Sequence, residues 1–144
     1  MKSNDNIRSL KQILDEKKLT LVFSSESCYV ESESRGVKPL LEILDSGKNT
    51  VGGIAADKVV GKAAAFLYVL LGVREIYANV ISQPAIEIFE KYGIKVSYGN
   101  SVPGIINRKG DGPCPMESAV GNESSPENAL ILIRKRLSEL SASK

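Results

Sequence analysis

Thr50-Val51-Gly52-Gly53-Ile54-Ala55-Ala56-Asp57-Lys58-Val59-Val60-Gly61-Lys62-Ala63-Ala64-Ala65-Phe66-Leu67-Tyr68-Val69-Leu70-Leu71-Gly72 is the stretch on which the fold turns. Thr50 to Ala56 reads as a strand whose glycine pair marks either a bulge or a place where another group approaches the backbone. Asp57 has the short acceptor side chain of a helix N-cap. The run that follows, to Leu71, is apolar on nearly every face, as in a helix buried at the centre of a layered protein. Gly72 supplies the left-handed stop.

Downstream the period changes twice more. Val73 to Ile81 alternates Ile76, Ala78 and Val80 with Glu75, Tyr77 and Asn79, a strand pattern. Ser82 then caps a helix with Ala85, Ile88, Phe89 and Tyr92 on one face, and Gly93 ends it. Ile94, Val96 and Tyr98 give another strand. Strand, helix, strand, helix, strand with very short connections implies two βαβ units and a parallel sheet.

Upstream, Ile7, Leu10, Ile13 and Leu14 recur at helical spacing, and Leu19 to Phe23 reads as a strand. Ser24 to Ser34 reads as the return strand of a hairpin turning near Ser25 and Glu26. Val37, Leu40, Leu41 and Leu44 form a helical stripe with Pro39 in its first turn and Gly47 as its stop. Beyond Tyr98, Asn100 to Asp111 is a loop, Pro113 to Val120 a turn of helix, and Ser125-Pro126 opens a last helix through Leu140 with Leu130, Ile133 and Leu137 inward.

With 144 residues, 42% hydrophobic and 25% charged, the chain is expected to form one domain, residues 1–144, with a core spanning about 7–140. The net charge of +2 is scattered, so neither nucleic acid nor a membrane surface is expected as a partner. Met1 to Asn6 lacks the apolar stretch of a signal peptide, and a cytoplasmic location is expected. Cys28 and Cys114 are then expected as free thiols. Homo-oligomerisation is left open.

In open parallel sheets ligands collect beyond the carboxyl ends of the strands, where helix N-termini point. On the boundaries above, that crevice is walled by Gly52 to Lys62, by Ser82-Gln83-Pro84 and by the Asn100 to Asp111 loop leading into Cys114. Lys58 and Lys62 would lie one turn apart at the start of the central helix, the wrong end for cations unless an anion or a carboxylate such as Asp57 compensates. The pair therefore reads either as an anion pocket or as two solvated lysines. Gly61-Lys62-Ala63 is not a phosphate-binding P-loop, because the earlier glycine and the following hydroxyl are missing.

The candidate ligand-binding residues are thus Gly52, Gly53, Lys58, Lys62, Ser82, Gln83, Asn107 and Arg108. Asp57, Cys114 and Glu117 are the candidate catalytic residues: a carboxylate for acid–base work, a thiol favoured as thiolate near a helix start, and a second carboxylate three residues on. Asp57 and Glu117 also have structural readings, as a plain cap and a first-turn acid. The sequence has no histidine, and no metal ligand or cofactor is assigned.

Gly52 to Ala65 and Cys114-Pro115-Met116-Glu117-Ser118-Ala119-Val120 together resemble a small prokaryotic domain-of-unknown-function family assigned to the cytidine deaminase-like fold, over about residues 7–140. The resemblance implies a three-layer α/β/α structure, its mixed sheet carrying the parallel βαβαβ half. Zinc deaminases hold the metal with His or Cys beside a Glu at one helix start and two cysteines at the next. Asp57-Lys58 and Ser82-Gln83-Pro84, at the corresponding places, cannot supply that set, which argues against zinc-dependent deamination. The expected function is binding of a small anionic metabolite, a nucleotide by analogy, without zinc; the alternative is a non-catalytic interaction or regulatory module.

Overall fold

Thr50 to Gly53 is a turn rather than the start of a strand, and this shifts the first βα unit along the chain. The computed structural model describes residues 6–106, 109, 110, 112 and 114–142. Its elements are α1 (Ile7–Glu16), β1 (Leu21–Ser24), β2 (Tyr29–Ser32), α2 (Lys38–Asp45), β3 (Ile54–Val60), α3 (Lys62–Leu71), β4 (Glu75–Ser82), α4 (Gln83–Lys91), β5 (Lys95–Val102), α5 (Pro115–Val120) and α6 (Pro126–Ala142). The five strands form one mixed sheet in the order β2-β1-β3-β4-β5. β1 is antiparallel to both β2 and β3, while β3, β4 and β5 run parallel. The expected parallel half and hairpin are both present.

Three boundaries differ from the expectation. Gly52, at φ +78°, sits in a turn closed by the Gly53 amide donating to the Thr50 carbonyl at 3.1 Å. Only glycine takes that φ without strain. The glycine pair is therefore not a bulge, and at Gly53 the groups that approach the backbone belong to β1 and to Thr50. An added Cβ on Gly53 would stand 3.0 Å from the Ser24 carbonyl oxygen and 3.1 Å from Phe23 Cζ. Asp57 is not an N-cap either: it lies within β3, in register with Leu21 on one side and Ala78 on the other. Lys58 is consequently a strand residue, and α3 begins only at Lys62, after an extended Gly61. The third change is at β5, which runs on through Asn100 and Ser101 to Val102, taking in the start of the expected loop.

Side chains of a strand alternate between the faces of a sheet, and two core clusters divide accordingly. Val22, Ile54, Ala56 and Tyr77 meet Leu10 and Leu14 of α1 on one face. Leu21, Phe23, Ala55, Ile76 and Ala78 meet α2, α3 and α4 on the other. α6 packs over α3 and α5 through Ala129 and Ile133. Helices thus cover both faces. α3 is contacted by α2, α4, α5, α6 and β3, which explains why its sequence is apolar almost all round.

The helix ends follow local chemistry. Gly47, Gly72 and Gly93 take left-handed φ values of +75°, +76° and +70° at or after the ends of α2, α3 and α4. Ser82 Oγ accepts from the Ala85 amide at 3.2 Å and Ser125 Oγ from the Asn128 amide at 3.3 Å. Among the described residues no buried side-chain polar atom lacks a partner. No helix among them is long and apolar enough to cross a membrane.

Three consecutive alanines, Ala63 to Ala65, are buried in the first turn of α3, and Ala65 is fully enclosed. Small side chains here set how closely the helix approaches its neighbours. Ala65→Leu should therefore cost about 1–3 kcal/mol through overpacking, read as a lower urea midpoint at unchanged slope. An unchanged midpoint would show that the α3 contact has spare room.

Candidate functional site

The amino end of α3 points to the carboxyl edge of the parallel strands, where the sequence places a crevice. Gly61 is its N-cap and has no side chain to offer. The cap comes instead from Glu117 in α5. The Lys62 amide donates to Glu117 Oε1 at 2.7 Å and the Ala63 amide to Oε2 at 2.9 Å. A Cβ on Gly61 would lie 2.6 Å from Glu117 Cδ, so the carboxylate occupies the space that a side chain would fill. Lys62 Nζ donates in return to the Gly121 carbonyl, at the C-cap of α5, at 2.6 Å. Each helix supplies a charge to the oppositely polarised end of the other, the favourable sense for both macrodipoles.

This clasp decides the status of two candidates. Glu117 spends both oxygens on backbone amides and is a capping residue. Lys62 points to a carbonyl rather than toward Lys58. Ser82 is the cap of α4, and Gln83 Nε2 donates to Ser101 Oγ on the neighbouring β5 at 3.1 Å. Cys114 is a free, half-buried thiol that precedes α5 and packs against the core; its backbone, not its sulfur, makes the local bonds, to Ile105 and Ser118. Asn107 and Arg108 lie outside the described residues. Gly52 and Gly53 lie at the amino end of β3, the opposite end from Gly61.

Asp57 belongs to a different environment. Its Oδ2 accepts from the Tyr68 hydroxyl at 2.6 Å, and Oδ1 accepts from the Val59 amide at 3.3 Å. Tyr68 is fully enclosed and lies six residues beyond Lys62, about 9 Å further along the helix at 1.5 Å per residue. Desolvation pushes the Asp57 carboxyl up to about 7, against the opposing pull of the Tyr68 hydroxyl and the Val59 and Lys58 amides. Burial, then the Asp57 charge, holds the Tyr68 phenol well above its ordinary range. Asp57 and Glu117 therefore have different hydrogen-bond partners, Tyr68 and the Val59 amide for the one and the amides of Lys62 and Ala63 for the other.

Lys58, one residue on in β3, opens onto the α1 side. It lines an open groove of about 290 Å³ with Leu14, Asp15, Lys18, Leu19 and Asn79. Lys18 is the unforeseen member. It follows the C-cap of α1 at φ +54°, the one non-glycine residue with positive φ among those described. Its amide donates to the Asp15 carbonyl and the Leu19 amide to the Leu14 carbonyl, a Schellman ending in which glycine is the usual occupant. A lysine there carries backbone strain of about 1 kcal/mol. Among the described residues neither Lys18 nor Lys58 has a side-chain hydrogen bond or ion pair. Groups of three or more His, Cys, Asp and Glu side chains able to hold a metal ion are also absent among those residues.

The model of the family TM1506, domain of unknown function DUF1893, matches residues 9–137. The crystal structure of a DUF1893 family protein (TM1506) from Thermotoga maritima, at 2.70 Å resolution, is similar with a TM-score of 0.81 and 33% sequence identity. The match covers 96% of this chain and 92% of that one. No curated protein matches the sequence.

The clasp predicts a specific pattern of destabilisation. Glu117→Gln should cost about 1–2 kcal/mol in urea unfolding, because one of the two amides then faces an NH2 donor and the other keeps only a neutral carbonyl acceptor. Gly61→Ala should cost at least as much by expelling the carboxylate. In the Gly61→Ala/Glu117→Gln double variant the losses should fall well short of additive; additive losses would mean that the two residues act separately.

For Asp57 the sign follows from its raised pKa: the folded chain holds the proton more tightly than the unfolded chain. Its stabilising contribution is complete below the ordinary value of 3.8 and is lost as pH rises through about 7. At 1.36 kcal/mol per unit the upper limit of this contribution is about 4 kcal/mol. Urea midpoints of the wild type should fall between about pH 4.5 and about pH 8 relative to those of Asp57→Asn. Parallel profiles for the two proteins would rule out Asp57 as the titrating group.

Proposed function

The chain belongs to the DUF1893 family, and on that premise we propose that it is a binding protein for a small anionic metabolite, held in the groove between the end of α1 and the β3–β4 strands. The observation that carries this reading is the pairing of Lys18 and Lys58 across one groove, both without a partner of their own. Lys18 holds its place at the cost of a left-handed backbone, and strain retained at one residue is a pointer to use. Asn79 adds an amide able to donate to a phosphate or carboxylate oxygen. Nucleotides are among the ligands this chemistry admits.

The architecture is read as cytidine deaminase-like, supported by the order β2-β1-β3-β4-β5 and by α3 and α4 starting beside one another after β3 and β4. Those helix starts carry Gly61-Lys62 and Ser82-Gln83-Pro84, which do not offer the thiolate, imidazole and carboxylate set of a zinc deaminase. Glu117 already neutralises the first of them. The function proposed is therefore binding without zinc-dependent deamination. A second reading, an interaction or regulatory module without a ligand, is favoured by the purely architectural work of Gly52 and Gly61.

Lys18→Gly separates these readings from any defect in folding. Glycine relieves the positive φ and should stabilise the chain by about 0.5–1 kcal/mol, while removing one ammonium group from the groove. Titration by NMR with inorganic phosphate, acetate and AMP should shift the amides of residues 18, 58 and 79 in the wild type. The affinity should drop about threefold to tenfold in Lys18→Gly and in Lys58→Ala. Absence of shifts at those amides with all three probes would favour the module without a ligand.

A further inference from the structure

Asp15 lines the same groove as the two lysines and is itself exposed. Among the described residues its carboxylate has no ion pair or side-chain hydrogen bond. It stands in the last turn of α1, where the helix dipole is negative and which holds no basic residue of its own, the nearest cations being Lys17 at the C-cap and Lys18 beyond it. The groove is thus polarised. Lys18 and Lys58 attract an anion, while Asp15 and the carbonyl end of α1 oppose one.

We propose that the ligand of this groove is a small zwitterion: a carboxylate or phosphate with an ammonium group a few bonds away, as in an α-amino acid. This rests on the anion reading above and narrows it. The anionic end lies between Lys18 and Lys58, and the ammonium end lies toward Asp15. Asn79, with both an amide donor and a carbonyl acceptor, suits either end. Leu14 and Leu19 are the apolar part of the lining, against which the carbon skeleton rests. At about 290 Å³ the groove is at the lower limit of small-molecule sites, which start at roughly 300 Å³. That size favours a molecule of a few heavy atoms over a whole nucleotide.

Full-length protein titrated with acetate, inorganic phosphate, ethylammonium, L-glutamine and O-phosphoethanolamine, followed by amide shifts, tests the inference. At least one zwitterion should bind about tenfold tighter than the anion that matches its acidic group. L-glutamine against O-phosphoethanolamine separates carboxylate from phosphate recognition. Asp15→Asn should bring zwitterion and anion to within about twofold of each other, leaving acetate and phosphate unchanged or tighter. Lys58→Ala should weaken all of the anionic and zwitterionic probes. Acetate or phosphate binding as tightly as the zwitterions to wild type would overturn the inference and leave the anion reading standing, as would a preference that survives Asp15→Asn. No binding of any probe at residues 18, 58 and 79 would overturn both.

Discussion

The two hydrogen bonds from the amides of Lys62 and Ala63 to Glu117 are the constraint on which the rest of the structure depends. α3 is enclosed by other elements, so water cannot readily satisfy its first amides, and unpaired buried amides are costly. Its own N-cap is Gly61, which has no side chain. The partner must come from elsewhere in the chain, and it comes from a residue more than fifty positions later. That choice fixes several others. Position 61 must lack a Cβ, α5 must lie against the start of α3, and Lys62 turns toward the carbonyl of Gly121. The C-terminal helices are thereby joined to the central one by charge as well as by the apolar contacts of Met116, Val120, Ala129 and Ile133.

Features governed by near neighbours were readable in the sequence. Glycines at positions 47, 72 and 93, Ser82 and Ser125 as caps, and Pro39 near the start of α2 act within one turn, and all occupy their expected places. The β1–β2 hairpin and the parallel order followed from the same local periods. Asp57 failed for an opposite reason. An acidic residue ahead of an apolar run is a good capping signal, but here strands pair on both sides of it and carry the chain on to Val60. Nor does regular alternation announce this extension: Ala55 and Val60, five residues apart, share one core cluster, and Val59 is exposed. The clasp itself could not be read locally, since Glu117 looks like any first-turn acid until α5 is brought against α3.

The same boundary governs the candidate site. Had Asp57 and Lys58 begun a helix, both would have lain beside Lys62 at one crevice. In a strand, neighbouring residues face opposite sides of the sheet. Asp57 therefore goes beneath α3 to meet Tyr68, whereas Lys58 emerges beside α1 and meets the groove of Lys18 and Asn79. A shift of a few residues in one element thus divides a single expected site into a half-buried carboxyl bonded to an enclosed phenol and an open charged groove. Lys18 and Asp15 escaped notice because the signal at the end of α1 is negative: a helix stop without glycine.

The energetics of the two faces differ accordingly. On the α3 face three polar side chains are committed to partners within the fold: Glu117 to amides, Lys62 to a carbonyl, Asp57 to Tyr68. Substitution there acts first on stability. On the α1 face, the side chains of Lys18 and Lys58 make no hydrogen bond or ion pair among the described residues, and Lys18 occupies a backbone position that glycine would fill with less strain. Groups that do not stabilise a protein, or that act against it, are the ones whose retention calls for another explanation. By that criterion the weight of functional argument passes from Glu117 and Cys114 to Lys18, Lys58 and Asp15.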